Sequence, residues 1–67
     1  MITVFKRKVY RREGGRYVPH PSARRTTIRR VNTVDEARAL CEQGPANQAL
    51  AAGREYRHLH FYEFESD

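Results

Sequence analysis

The sequence predicts a small α+β fold: an antiparallel sheet of three to four strands, in the order β-β-β-α-β, with one short helix packed on one face. Three observations predict it. Gly14-Gly15 joins two stretches rich in β-branched and aromatic residues. Thr33-Val34-Asp35-Glu36 has the pattern that opens a helix. The run Arg57-His58-Leu59-His60-Phe61-Tyr62-Glu63-Phe64 closes the chain as a ring-bearing strand.

From Ile2 to Arg12 the chain carries Ile2, Thr3, Val4, Phe5, Val9 and Tyr10 without a helix breaker, and reads as a strand. Its apolar residues do not separate by parity: Ile2, Val4 and Tyr10 are even, Phe5 and Val9 odd. A bulge near Lys6 and partial cover on both faces are the two explanations. Both central residues of a type I′ turn need positive φ, which Gly14-Gly15 supplies. That turn sets Glu13 opposite Arg16, Arg12 opposite Tyr17 and Arg11 opposite Val18. Pro19 and Pro21, lacking N–H donors, end the ladder and leave His20 on an exposed loop.

Arg24 to Val31 alternates in strand fashion and presents arginine on both faces, as an edge strand would. Thr33 then caps a helix of two to three turns, with Asp35 and Glu36 at the positive end of its dipole. Val34, Ala37, Leu40 and Cys41 fall on one helical face, and Gly44-Pro45 stops the helix. Ala46 to Ala52 supports a second short helical turn held by Leu50. From Arg54 the chain becomes a strand, with Tyr56, His58, His60, Tyr62 and Phe64 on one face.

At 67 residues the chain forms one domain, 1–67. Such a chain hides only about 60% of the surface its unfolded form exposes, and its core supplies roughly 3–5 kcal/mol. Cys41 is the sole cysteine, which excludes an internal disulfide and agrees with a reducing compartment. Tight packing or a homodimer remains to support the core. No apolar run approaches the ~20 residues of a membrane span. The opening Met1-Ile2-Thr3-Val4-Phe5 precedes Lys6-Arg7-Lys8, the reverse of a secretory signal. The expected location is the cytoplasm.

Charge divides the chain. Residues 1–30 hold ten Lys or Arg against Glu13 alone, whereas residues 31–67 hold three Arg against seven acids. The halves carry +9 and −4 within a net +5. An anionic partner for the first half is the functional explanation. A GC-rich gene, with eleven Arg against two Lys, and cations guarding strand edges are the competing ones. The candidate contact residues for a partner or nucleic acid are Arg11, Arg12, Arg16, Tyr17, Arg24, Arg25, Arg29 and Arg30, because guanidinium groups grip phosphate or carboxylate in bidentate fashion.

Other chemistry is weaker. His58 and His60, two apart, use a spacing found in metal sites; His20 or Cys41 is the only third ligand on offer, and ordinary packing explains the pair equally well. No cofactor is assigned. Cys41 lies on the apolar helix face, where packing outweighs nucleophilic use. Tyr10, Tyr17, Tyr56 and Tyr62, interleaved with arginines, suit base stacking in single-stranded nucleic acid, although no RNP-type run accompanies them and core packing competes. No carboxylate pair suggests catalysis, and the expectation is a non-enzymatic chain.

Thr33-Val34-Asp35-Glu36-Ala37-Arg38, Cys41, Asn47 and Phe61-Tyr62-Glu63-Phe64 together resemble a plan found in small proteins encoded by phages and prophages. The match covers roughly residues 31–65. Some proteins of this plan are anti-CRISPR or other anti-defence inhibitors that bind a host complex where its nucleic acid docks. The resemblance implies an accessory inhibitor in the cytoplasm of a bacterial host, engaging a host protein or nucleoprotein complex. A direct DNA- or RNA-binding regulatory protein is the alternative. The arginine-rich first half departs from the acidic surfaces common among such inhibitors, which argues against nucleic-acid mimicry.

Overall fold

Twelve consecutive residues, Ile2–Glu13, form one strand, β1, and every other strand pairs with it. The computed structural model describes residues 1–20 and 22–66. Around β1 are arranged β2 (Arg16–Pro19), β3 (Thr26–Val31), α1 (Val34–Cys41), α2 (Pro45–Ala51) and β4 (His60–Ser66). All three pairings are antiparallel, so the expected α+β class is the observed one. Because β3 and β4 both pair with Ile2–Lys6, they flank the first half of β1 on opposite edges.

The hairpin has the expected register: Glu13 faces Arg16, Arg12 faces Tyr17 and Arg11 faces Val18. Gly14 and Gly15 take φ of 58° and 80°, a region that residues with a Cβ avoid. One position further back the pairing slips, leaving Tyr10 as the extra residue of a bulge between Val9 and Arg11. Pro19 ends β2; Pro21, expected to share that role, lies outside the described residues. The expected exposed loop at His20 is corrected: His20 is half-buried, drawn in by the ring of Tyr10.

The mixed parity of β1 has a single resolution. Pairing with β4 runs without interruption from Ile2–Ser66 to Lys8–His60, so no bulge occurs at Lys6 on that edge. Side chains therefore alternate: Ile2, Val4, Lys6 and Lys8 on one face, Thr3, Phe5, Arg7 and then Val9 on the other. Each face has its own small core. Ile2, Val4, Val31 and Ala37 cluster with Leu40 and Cys41 beneath α1. Val9, Ala46, Ala49 and Tyr56 cluster with Tyr17, Leu50, Leu59 and Phe61 beneath α2. The two helices thus straddle the β4 edge, where one helix on one face was expected.

Thr33 caps α1, its Oγ1 accepting from the Glu36 N–H at 3.2 Å. Of the predicted apolar helix face, Ala37 is buried and Leu40 and Cys41 half-buried, but Val34 stays exposed because it lies in the first turn, before the helix reaches the sheet. Gly44 then turns the chain over the β4 edge. A Cβ there would meet the Asn47 side chain and come within 2.8 Å of the Tyr62 ring. Asn47 acts as a substitute strand for β4: its Nδ2 donates to the Tyr62 carbonyl (3.0 Å) and its Oδ1 accepts from the Tyr62 N–H (2.8 Å). That fork satisfies an edge that would otherwise invite another chain.

The last strand begins at His60, six residues later than the expected start at Arg54. Residues 54–59 instead return from α2 to the sheet. Tyr56 is buried in the α2-side core, its Oη accepting from the Tyr17 N–H at 2.8 Å, so it does not share a strand face with His60. Val9 donates to the Leu59 carbonyl and accepts from the His58 N–H, extending the ladder by one step.

Candidate anion-binding surfaces

The length mismatch between α1 and β1 creates an open surface. An eight-residue helix spans about 12 Å, whereas a twelve-residue strand spans about 40 Å. Helix α1 consequently covers Ile2 and Val4 and does not reach the rest of its face, where Lys8 is exposed and Lys6, Tyr10, His60 and Tyr62 are half-buried. There Lys6 lies opposite Tyr62 and Lys8 opposite His60. Tyr10 follows, with two imidazoles nearly parallel to its ring: His20 at 5.8 Å between centroids and 8°, His58 at 6.5 Å and 16°. Burial, then Lys6 and Lys8, hold the His60 imidazole below its ordinary pKa. The local field here is positive.

The eight residues singled out from sequence do not gather into one patch. Arg11, Arg12, Arg16, Arg24, Arg25, Arg29 and Arg30 are all exposed and Tyr17 is half-buried. Arg29 pairs in register with Val4 and so belongs to the α1 face, whereas Arg30 pairs with Thr3 and belongs to the other. Arg25 places its guanidinium 3.8 Å from the centre of the Phe5 ring and forms an ion pair with Glu65. Arg12 lies 5.7 Å from the ring centre of Tyr17, and Arg11 pairs with Glu13 at 3.4 Å. Arg16, Arg24 and Arg29 have no ion-pair partner among the described residues.

Tyr17 meets Tyr56 edge to face, 5.3 Å between centroids at 86°, and its hydroxyl donates to Glu55 at 3.4 Å. Beside it a cleft of about 470 Å³ opens between the hairpin and α2, floored by Val9, Leu50 and Phe61 and rimmed by Glu13, Arg16 and Glu63. Its lining is apolar with charges of both signs at the mouth.

No family model matches the chain, nor does any curated protein or solved structure. Function must therefore be argued from its own residues.

The histidines and Cys41 do not converge: among the described residues no three His, Cys, Asp or Glu side chains come together as metal ligands. Nδ1 of His20 accepts the Ser22 N–H at 3.1 Å and lies 2.7 Å from the Ser22 hydroxyl oxygen. Burial, then Glu63, raises the Cys41 pKa and keeps the half-buried thiol protonated, the opposite of an activated nucleophile. No helix among the described residues is long and apolar enough to cross a membrane.

Lys6 and Lys8 are absent from the sequence-based candidates, and His20 enters there only as a possible metal ligand. Their signal was there in outline, as Lys6, Lys8 and Tyr10 at every second position. Recognising it required the register with β4, which brings His60 and Tyr62 alongside.

Proposed function

We propose that this chain is a non-enzymatic accessory binding protein that grips an anionic macromolecular surface. In the phage-type reading that surface belongs to a host nucleoprotein or defence complex. The observation that carries the proposal is the state of the guanidinium groups. Seven arginines of the first thirty residues are exposed, and Arg16, Arg24 and Arg29 have no carboxylate partner among the described residues. The carboxylates of the sheet are already engaged, Glu63 by Arg7, Glu65 by Arg25 and Glu13 by Arg11. Free guanidinium groups on a small scaffold suit phosphate oxygens, which they bind in forked geometry.

The half-buried rings beside Lys6 and Lys8, with the exposed His58, favour a second reading, direct binding of DNA or RNA. A pull-down from bacterial lysate, with and without nuclease, separates the two. Capture that survives nuclease supports a protein component of the target, and capture that nuclease abolishes supports nucleic acid alone. In both cases the triple variant Arg16→Ala, Arg24→Ala, Arg29→Ala is expected to lose at least tenfold in captured material. Undiminished capture by that variant overturns the proposal.

A further inference from the structure

We infer that the half of the α1 face beyond the helix is a binding site for single-stranded nucleic acid, with bases stacking on Tyr10, His20 and His58 and phosphates meeting Lys6 and Lys8. The inference rests on the reading of a phosphate-bearing partner and names the surface and the form of nucleic acid.

Four features converge on it. Lys6 and Lys8 project from alternate positions of one strand, about 7 Å apart. Neighbouring phosphates of an extended strand have a comparable separation. Glu63 and Glu65 lie on the opposite face, tied to Arg7 and Arg25, and Glu13 at the hairpin is paired with Arg11. The lysines therefore keep their charge for an incoming anion.

The rings add what a purely electrostatic surface lacks. Three nearly parallel aromatic groups follow the lysines along the strand, His58 exposed and Tyr10 and His20 half-buried, and an aromatic π-face accepts any base. His58 is held there at a cost. It is the only residue other than glycine with positive φ among the described residues, 69°, and its N–H is bonded to the Val9 carbonyl. Strain at an exposed residue whose ring joins others is a mark of a working position. Duplex DNA conceals the faces of its bases in the helical stack, and an acidic protein offers carboxylates without rings. The lysine–ring combination fits single strands better than either.

Fluorescence anisotropy with a labelled twelve-nucleotide oligothymidylate, and with a duplex of equal length, tests the site. The single strand is expected to bind more tightly than the duplex. Tyr10→Leu should weaken it by about tenfold or more, as removal of a stacking ring does. The double variant Lys6→Ala, Lys8→Ala should lower the salt slope by about 1.4, from ~0.7 per phosphate contact on a single strand.

His58→Gly is the decisive variant, because it relieves the backbone while deleting the ring. It should melt no lower than the unaltered protein and still bind at least several-fold more weakly. Undiminished binding by His58→Gly, or preference for the duplex, overturns the inference. If the arginine triple variant loses binding while Tyr10→Leu and His58→Gly keep it, the proposed function survives and this site does not.

Discussion

Phe5 and Val9 lie on the same face of the same strand and are both buried, yet they are covered by opposite means. Val9 is fully buried beneath Ala46, Ala49, Tyr56 and their neighbours, a small conventional core. Phe5 is 6% exposed and belongs to neither hydrophobic cluster. Its cover is cationic: Arg25 at 3.8 Å and Arg7 at 5.7 Å from the ring centre, held over it by Glu65 and Glu63. Two helices of eight and seven residues are too few to roof both faces of a twelve-residue strand. Where helix runs out, the planar guanidinium groups form the lid. Some arginines are therefore structural, and counting them all as a binding surface overstates it.

The sharpest test of this contrast is Val9→Ala. It removes about two methylenes and leaves a cavity, so a loss of about 2–3 kcal/mol is expected, insensitive to sodium chloride. Denaturant titration checks it, and a loss under 1 kcal/mol would show that the α2-side core is not tightly packed. Next comes Asn47→Ala, which removes both bonds to Tyr62 and frees the β4 edge. About 1–2 kcal/mol should disappear, with concentration-dependent association visible in sedimentation.

A smaller effect is expected for Arg25→Gln, about 1 kcal/mol at low salt, as for an exposed cation–π contact with a surface ion pair. The difference from the unaltered protein should shrink in 1 M sodium chloride, since the attraction is screened. A salt-independent difference would mean that Arg25 acts through packing of its stem alone.

The smallest concerns pH. The folded state lowers the His60 pKa below its ordinary 6.5, so the unfolded chain binds more protons in that range. Stability is then fully present above pH 6.5 and declines as pH falls through the folded pKa. His60→Gln should flatten that part of the melting-temperature profile, and an unchanged profile would assign the dependence to another group.

Local signals were legible at once. The Arg12–Tyr17 register follows from Gly14-Gly15, because a two-residue turn leaves the flanking strands one way to pair. Thr33 announced α1 because a cap is satisfied within one turn of chain. The Lys8–His60 and Lys6–Tyr62 neighbours were not legible, since nothing local aligns β1 with a strand at the far end of the sequence. Residues 54–59 depart from the expected strand for a related reason. Their alternation looked like strand, but Tyr56 is claimed by the core around Val9 and His58 turns at positive φ.

By itself the sequence determined the fold class, the hairpin register, the helix start, the Gly44-Pro45 break and the uneven charge. These depend on φ preferences, caps and composition, which act over a few residues. Only the tertiary structure decided which arginines are lids, that the helices divide between two faces, that Lys6 and Lys8 lie beside Tyr62 and His60, and that Tyr10 stacks with His20 and His58. Those outcomes depend on how far a short helix reaches along a long strand and on which side chains alternation sends to each face, quantities set when the sheet closes.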